Sequence, residues 1–460
     1  MSTSESRPLF RKVLIANRGE IAVRIARTLR DMGIQSVAIY SDADAGAMHV
    51  TAADEAFHVG PAPPAQSYLN LDRIFEVARE ASVDAIHPGY GFLSENAAFA
   101  RRCGEEGITF IGPTPEAIEA MGSKIAARRA ARGAGVPIVP GTEDPLEDSA
   151  EIAAVADHLG FPVAIKAAAG GGGYGMRVVR GPEEITPALD GVRRDAARAF
   201  GDTTVYVERF FAPAPRHVEI QVLADSLGNV VHLGERECSL QRRFQKIVEE
   251  TPSTALSPEL RRRMGAAATA LAKAMGYRSA GTIECLVTGD EFYFLEMNTR
   301  LQVEHPVTEE VTGVDLVREM IRIAAGLPLS VPAEGIAPRG HAIEARVYAE
   351  DPARGFMPSP GEITRLEFPR VPNVRVDTGA MAGSKVTVYY DPMIAKIVAW
   401  GEDRGAAIAT MRAALAGTII EGVKTNLPFL ERIFAGEDFA AGRIHTRYVD
   451  EHLSEIMATG

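Results

Sequence analysis

A strict alternation of polar and apolar residues runs from Glu296 to Glu304 and constrains the fold more than any other segment. Successive side chains of a strand point to opposite faces, so the pattern predicts a strand with one polar face. That face would carry Glu296, Asn298, Arg300, Gln302 and Glu304. At about 3.3 Å per residue it would be roughly 26 Å long, enough to reach a metal-bound phosphate and a second substrate. An edge strand with one solvated face is the common alternative. Two acids, two amides and a guanidinium in one row favour a binding surface.

The segment before this row adds a third acid. Residues 281–287 are followed by a turn at 288–290 and by a second apolar segment that ends at Glu296, so a hairpin is predicted. Antiparallel pairing can place Glu284 opposite Glu296. Together with Asn298 these side chains offer hard oxygen ligands, which suit Mg²⁺ or Mn²⁺ and leave coordination sites for phosphate.

The composition excludes several classes of protein. A chain of 460 residues accommodates about three domains. The net charge of −12 and the lack of a basic block argue against a nucleic-acid partner. The three cysteines, Cys103, Cys238 and Cys285, are far apart, which indicates reduced thiols. The first ten residues lack an apolar signal segment, and no stretch of about 18 apolar residues occurs, so we expect a cytoplasmic protein without a membrane span.

A glycine-rich segment at 170–175, interrupted by Tyr174, joins two predicted strands. Its backbone N–H groups could donate to a triphosphate, and the missing Cβ atoms would permit close approach. No Gly-Lys-Ser/Thr sequence follows, so it is not a P-loop. A flexible hairpin tip is the alternative. Lys166 on the preceding strand favours the phosphate hypothesis because a buried ammonium needs an anionic partner, and Lys124 could add a second positive charge.

The predicted elements fall into three groups along the chain. A strand at 13–16, a helix at 21–32 and a strand at 36–40 form a βαβ unit without the full dinucleotide fingerprint. Strands at 161–169, 176–179 and 204–208 with a helix at about 188–200 form a small lid-like unit. After residue 341 the pattern changes to short strands at 341–348, 361–368 and 389–400 and a helix at 404–416.

The segment from Glu235 to Lys246 holds four cationic and two anionic residues. A charged surface loop is the usual structure of such a segment, and an electropositive pocket for a small oxyanion is the functional alternative. Arg346 lies in a predicted strand and by itself would be an ordinary strand arginine.

The combination of metal ligands, lysines and a glycine loop is typical of phosphoryl transfer by positioning and charge stabilisation. The acceptor would bind farther along the polar row, where Arg300 would hold an anion and Glu304 could remove a proton. We therefore expect a carboxylate or bicarbonate acceptor that is converted to an acyl phosphate.

Four motifs of the sequence resemble biotin carboxylase in type and order. They are Ala16–Ala22, His87–Asn96, Gln241–Lys246 and Glu296–Pro306, and the resemblance covers about residues 10–452. It implies an α/β and α+β architecture of the ATP-grasp type. The implied domains are an N-terminal Rossmann-like domain (1–121), an ATP-grasp region (122–335) with a mobile lid at about 139–211, and a C-terminal mixed α/β domain (336–460).

The resemblance also implies a role for each matching residue. Two Mg²⁺ or Mn²⁺ ions would be held by Glu284, Glu296 and Asn298. ATP would be contacted by Lys124, Lys166, Gly172, Gly173, Glu208, His217 and Gln241. Bicarbonate would be bound by Lys246, Arg300, Gln302 and Val303. Glu304 would deprotonate bicarbonate, which attacks the γ-phosphate to give carboxyphosphate. The phosphate released with CO₂ would take the biotin N1′ proton, and Arg346 would stabilise the enolate.

Two positions depart from the family pattern. Tyr174 replaces the usual Lys or Arg of the lid, and Phe244 replaces a histidine that many relatives carry near the ribose. We therefore expect weaker ATP binding with the chemistry retained.

Tyr174→Arg should lower the KM for ATP in a steady-state assay, and an unchanged KM would count against this assignment.

The sequence has no Met-Lys-Met motif of a biotinylated lysine and no recognisable carboxyltransferase half. The family therefore implies a biotin carboxyl carrier protein and a carboxyltransferase as partners, a homodimer or larger complex, and an acyl-CoA carboxylase such as those acting on acetyl-CoA in fatty acid biosynthesis or on propionyl-CoA. Two alternatives stay open: another ATP-grasp ligase that joins a carboxylate to an amine, and a nucleotide-binding regulatory chain that has lost catalysis. Bicarbonate-dependent ATP cleavage stimulated by biotin would distinguish the carboxylase from both.

Overall fold

The N-terminal part of the chain is a parallel sheet flanked by helices. The computed structural model describes residues 9–142, 144–168 and 175–458. The first elements are β1 (Lys12–Ile15), α1 (Gly19–Asp31), β2 (Gln35–Ser41), α2 (Met48–Ala52), β3 (Glu55–Gly60), α3 (Leu71–Glu80), β4 (Ala85–His87), α4 (Ala97–Glu105), β5 (Thr109–Phe110) and α5 (Pro115–Gly122). The five strands are parallel, in the order β3-β2-β1-β4-β5. Both faces of such a sheet are covered by helices, which is why Val13, Leu14 and Ile15 are all buried. The predicted βαβ unit is confirmed.

A small separate sheet follows. Its segment contains α6 (Lys124–Gly133), α7 (Ser149–Leu159), β6 (Val163–Ala167), β7 (Met176–Val179), α8 (Ile185–Phe200) and β8 (Val205–Arg209). The strands pair antiparallel in the order β7-β6-β8. Their buried side chains pack with those of α7 and α8 in one compact core. The predicted lid elements are therefore present, although Gly172, Gly173 and Tyr174 lie outside the described residues.

Eight of the remaining strands build one large antiparallel sheet. The middle segment contributes β9 (Arg216–Ala224), β10 (Val230–Arg242), β11 (Gln245–Thr251), α9 (Pro258–Ala274), β12 (Ser279–Thr288), β13 (Glu291–Asn298), α10 (His305–Thr312) and α11 (Leu316–Ala324). The last segment contributes β14 (His341–Tyr348), β15 (Glu350–Asp351), β16 (Met357–Pro358), β17 (Gly361–Glu362), β18 (Arg365–Glu367), β19 (Val374–Thr378), β20 (Lys385–Val386), β21 (Met393–Gly401), α12 (Arg404–Ala416), β22 (Ile419–Glu421), α13 (Leu427–Ala435), α14 (Glu437–Ala440) and α15 (Tyr448–Ala458). Six strands of this last segment lie outside the large sheet and pair as β15-β16, β17-β20 and β18-β22.

Strands from both segments are hydrogen-bonded in one eight-stranded sheet. Its order is β13-β12-β9-β10-β11-β14-β21-β19. The predicted division at 335/336 separates β11 from its neighbour β14 in this sheet, and the domain boundaries stay a prediction.

The predicted nine-residue strand from Glu296 to Glu304 is wrong beyond Asn298. There β13 ends, and an irregular segment leads to α10, which begins at His305 with Pro306 in its first turn. The Thr299 backbone N–H donates to Glu95 Oε1 at 2.9 Å instead of to a neighbouring strand. Proline is favoured in the first turn of a helix, and Pro306 occupies that position in α10. The strand must therefore end before Pro306.

Of the two alternatives for the segment from Glu235 to Lys246, the charged surface loop is not observed, and Gln241 and Lys246 line the cavity described below. The segment forms most of β10 and the start of β11, joined by a two-residue turn at Arg243 and Phe244. Both turn residues have positive φ, +49° and +68°, the backbone conformation of the tightest hairpins. Within β10, Arg236 is completely buried and pairs with Glu219, its Nε lying 2.5 Å from Oε1. Reciprocal pairing allows these charges to be buried.

Cys103, Cys238 and Cys285 are each buried and unpaired, in agreement with the predicted reduced thiols. Among the residues that the structure describes, no helix has the length and hydropathy needed to cross a bilayer.

Candidate active site

One cavity of about 1070 Å³ lies between the N-terminal part, the lid and the large sheet. Its lining includes every predicted site residue that falls within the described segments. These are Lys124, Lys166, Glu208, His217, Gln241, Lys246, Glu284, Glu296, Asn298, Arg300, Gln302, Val303, Glu304 and Arg346. The structure therefore brings together side chains from positions that are more than two hundred residues apart in the sequence.

The hairpin β12–β13 positions the predicted metal ligands. Glu284 lies directly opposite Glu296 in the strand register, as predicted. Asn298 Nδ2 donates to Glu284 Oε1 at 3.0 Å. Burial and the negative charge of Glu284 raise the pKa of Glu296. Two carboxylates and an amide oxygen are hard donors, and their mutual repulsion would be relieved by a cation, so the set fits Mg²⁺ or Mn²⁺.

Beyond Asn298 the polar side chains still converge, although the backbone is no longer a strand. Arg300 Nη2 donates to Asn298 Oδ1 at 2.8 Å, and Arg300 Nη1 donates to Gln302 Oε1 at 2.6 Å. Gln302 Nε2 in turn donates to Glu284 Oε1 at 3.1 Å. On its other side Arg300 Nε donates to Glu95 Oε2 at 2.9 Å, which joins this segment to the N-terminal part. The guanidinium is thus held in a fixed orientation at the cavity wall.

Lys246 lies at the centre of the polar cluster. Its Nζ donates to Glu219 Oε2 at 2.6 Å, to Glu284 Oε1 at 2.9 Å and to Glu304 Oε1 at 2.7 Å. Burial by itself would lower the pKa of Lys246, but these three carboxylates outweigh it and hold the pKa well above its usual value. The ammonium therefore stays charged and can donate to a small anion that displaces one of these carboxylates.

Glu304, the N-cap residue of α10, is buried between two cations. Besides Lys246, Arg346 approaches it, with Nη2 donating to Glu304 Oε2 at 3.0 Å. Burial favours the neutral acid, yet the charges of Lys246 and Arg346 outweigh it and lower the pKa of Glu304. The carboxylate is ionised and can accept a proton once an incoming anion competes for its cationic partners.

The nucleotide-contacting candidates line another part of the cavity. Lys166 Nζ lies 2.5 Å from Glu208 Oε2, and Arg128 donates to the other oxygen of Glu208. Burial and the nearby Lys166 lower the pKa of Lys124. Two ammonium groups in one wall would be stabilised by a polyanion such as a triphosphate.

Of the predicted ATP contacts His217 and Gln241, His217 contacts a metal candidate directly, and Gln241 contacts His217. Gln241 Nε2 donates to His217 Nδ1 at 2.8 Å. His217 Nε2 lies 3.0 Å from Glu284 Oε2. Potential ligand atoms of His217, Glu219 and Glu284 all lie within 4.8 Å of one another, so the donor set around Glu284 is larger than predicted.

Sequence reasoning missed several acids around this cluster, and Glu219 is the most central. Polar and apolar residues alternate over residues 216–224, a pattern that places His217, Glu219 and Gln221 on one face of a strand. Since His217 is itself a predicted site residue, the pattern could have identified Glu219. Glu344 had the same signal, since it lies two residues from Arg346 on the predicted strand, and Glu95 lies within the motif His87–Asn96. Glu249 had no such signal, because its partner Arg346 comes from another part of the chain.

Three family models match the chain in succession. The biotin carboxylase N-terminal domain matches residues 9–118, the carbamoyl-phosphate synthase L chain ATP-binding domain matches 123–331, and the biotin carboxylase C-terminal domain matches 344–451.

Full-length relatives and solved structures agree with the models. The chain is 53% identical to the biotin carboxylase of Halalkalibacterium halodurans, covering 97% of this chain and 98% of the relative. It is 50% identical to biotin carboxylase 1 of Bacillus subtilis, and the alignment covers 96% of this chain and 99% of the relative. A solved structure gives the same result: the biotin carboxylase domain dimer of Hydrogenobacter thermophilus 2-oxoglutarate carboxylase, in complex with MgADP, ADP and bicarbonate. It superimposes with a TM-score of 0.94 at 47% identity, covering 97% of this chain and 98% of that chain. A biotin carboxylase from Campylobacter jejuni solved with a β,γ-ATP ligand also gives 0.94, at 45% identity over 96% and 99%.

These matches confirm the predicted ATP-grasp fold class and the predicted enzyme class, an ATP-dependent ligase that carboxylates biotin. The matches to the Halalkalibacterium halodurans and Hydrogenobacter thermophilus proteins each cover 97% of this chain. The chain belongs to the biotin carboxylase family.

Proposed function

We propose that the cavity binds ATP and bicarbonate side by side and carboxylates biotin held by a carrier protein. The observation that carries this assignment is the Lys246 ammonium, which contacts Glu219, Glu284 and Glu304 together. This one cation connects the metal candidates at one end of the polar cluster with the candidate base at the other. An anion that displaces part of these contacts would lie next to the base and near the phosphate end.

The lysines of the lid side bind the triphosphate, with Lys124, Lys166 and the glycine loop that includes Gly172 and Gly173 as donors. Glu208 orients Lys166, while His217 and Gln241 contact the nucleotide. The divalent ions, held by Glu284, Glu296 and Asn298, neutralise charge on the phosphates.

Bicarbonate binds to Lys246, Arg300, Gln302 and the backbone of Val303. Glu304 accepts its proton, and the resulting oxyanion attacks the γ-phosphorus of ATP. The new O–P bond forms as the bond to ADP breaks, giving carboxyphosphate. This intermediate releases CO₂ and phosphate, and the phosphate takes the N1′ proton of biotin. Arg346 stabilises the enolate oxygen, after which N1′ attacks CO₂.

The partners follow from this chemistry. Biotin must be delivered on a carrier protein, and the carboxyl group must be passed to a carboxyltransferase, so the chain works in a biotin-dependent carboxylase complex. The dimer of the Hydrogenobacter thermophilus biotin carboxylase domain supports a homodimer within that complex. We place this complex in the cytoplasm. The final acceptor is set by the carboxyltransferase.

The test is ATP cleavage by the purified protein with bicarbonate and free biotin supplied separately and together. We expect ADP formation to require bicarbonate, to increase with biotin, and to stop when EDTA removes Mg²⁺ and resume when Mg²⁺ is added back. Carboxybiotin formation from labelled bicarbonate gives the direct product readout. The proposal would be refuted if the rate of ATP cleavage did not depend on bicarbonate, or if an amine stimulated it in place of biotin.

A further inference from the structure

Two buried glutamates lie behind Arg346, outside the set of residues used above. Glu249 on β11 and Glu344 on β14 are register partners in the large sheet. Both are completely buried. Side chains directly opposite each other on one face of an antiparallel pair are about 4.5–5.5 Å apart at Cβ. Two carboxylates this close and without solvent cannot both be ionised at low cost. We call Glu249 and Glu344 the acid pair.

The two members of the acid pair differ in their cationic partners. Arg346 Nη2 lies 2.5 Å from Glu249 Oε1, so Glu249 has a cationic partner. Lys396 is also buried near the pair, but its Nζ donates to Val303 O at 2.8 Å and lies 3.1 Å from Glu20 Oε1. Neither Glu249 nor Glu344 accepts a hydrogen bond at its carboxylate from a residue that the structure describes, so the ion pair with Arg346 is what distinguishes Glu249 from Glu344. Glu344 therefore lacks the partner that an ionised buried carboxylate requires.

The other titratable groups nearby do not supply one. Glu304, from the segment that precedes α10, adds a further negative charge. On α10 itself, burial and the charge of Lys396 lower the pKa of His305, which is therefore neutral. Burial raises the pKa of Glu344 well above its usual value despite Lys396. Burial also raises the pKa of Glu249, to about 7, although Arg346 opposes the effect.

We propose that Glu344 is a protonated, neutral acid in the working enzyme and that the ionised form of Glu249 is the positioning residue for Arg346. The proposal rests on the function proposed above for Arg346 at biotin. Arg346 is shared between Glu249 and Glu304 at 2.5 and 3.0 Å. When Glu304 takes the bicarbonate proton it loses its charge, and only Glu249 then holds the guanidinium in place. The proton on Glu344 keeps that single negative charge next to Arg346 from being repelled by a second one.

The matched variants Glu249→Gln and Glu344→Gln separate the two roles, because each replaces a carboxyl group by a neutral group of the same shape. We expect Glu249→Gln to raise the KM for free biotin about tenfold, the loss of one charge-assisted contact to Arg346, with the KM for ATP unchanged. Glu344→Gln should keep both constants within about twofold, since it imitates the protonated acid. Glu249→Asp, which keeps the charge, should recover part of the lost biotin affinity. An unchanged KM for biotin in Glu249→Gln would overturn the positioning role.

The protonation of Glu344 is tested independently of activity by unfolding at different pH values. A folded-state pKa above the unfolded value means that this carboxyl group binds a proton more tightly in the folded protein, so the contribution of Glu344 to stability falls as pH rises from about 5 to 7. Glu344→Gln lacks this loss, and the ratio of the wild-type to the variant unfolding constant should grow about tenfold per pH unit. A constant ratio over that range would overturn the proposal. This measurement remains decisive even if the protein shows no biotin-dependent activity, so failure of the proposed function and failure of this inference give different results.

Discussion

Replacing Glu304 with glutamine should lower the kcat of bicarbonate-dependent ATP cleavage by about 10²–10⁴-fold, the usual contribution of a general base. Glutamine keeps the shape of the side chain but cannot take a proton, and it removes the negative charge that lies between Lys246 and Arg346. The residual ATP cleavage that does not depend on bicarbonate should change far less. Initial rates of ADP release at saturating ATP and bicarbonate, with and without biotin, measure both quantities.

A matched Glu→Gln exchange controls for the loss of a buried carboxylate as such. Glu319 is buried, accepts hydrogen bonds from Ser330 and lies outside the cavity lining. Glu319→Gln should retain nearly full activity even if it lowers the unfolding temperature. Equal activities of the two variants, with both proteins folded by circular dichroism, would refute the role of Glu304.

Arg300→Ala should lower kcat/KM for bicarbonate by about 10²–10³-fold, comparable to the loss of one well-oriented donor to a developing anion. The guanidinium of Arg300 is oriented by Glu95, Asn298 and Gln302, so its donors are fixed before the anion arrives. Arg300→Lys should recover little, because an ammonium cannot reproduce the planar fork. Steady-state kinetics with bicarbonate as the varied substrate measures the effect, and the KM for ATP should stay within about threefold, since the nucleotide contacts lie elsewhere.

Arg365 offers the control for this substitution. It is half-exposed and pairs with the exposed acids Glu367 and Glu421, and surface ion pairs contribute at most about 1 kcal/mol. Arg365→Ala should therefore leave bicarbonate kinetics unchanged. Wild-type kcat/KM in Arg300→Ala would refute the assignment of the bicarbonate site.

The chemistry of the site could be predicted from the sequence because much of it is encoded locally. The apolar segments around the turn at 288–290 predicted the hairpin, and the hairpin fixed Glu284 opposite Glu296. Alternation then placed Asn298 on the same side. Charge and position also indicated Lys124, Lys166, Arg300 and Glu304. The fold class and the other site residues came from the family resemblance, which covers nearly the whole chain.

The parts that the sequence could not reveal depend on distant partners. Alternation suggested a strand through Glu304, but Glu95, far away in the chain, takes the Thr299 backbone N–H and the row becomes a loop. The charged segment around Arg236 looked solvent-exposed because its compensating acid, Glu219, lies on another strand. A local pattern reports periodicity and charge, whereas burial of a charge is decided by which opposite charge the tertiary fold brings to it.

The continuity of the eight-stranded sheet has a practical consequence for dissecting this protein. Truncation after residue 335 would remove β14, β21 and β19 and leave β11 as a bare edge with unpaired backbone groups. At this edge Glu249 would lose its partner Arg346, and Glu250 would lose its partners His341 and Arg404. Apolar surface that the removed strands cover would also become exposed. Exposed strand edges of this kind recruit other chains, so the shortened protein should be found in inclusion bodies.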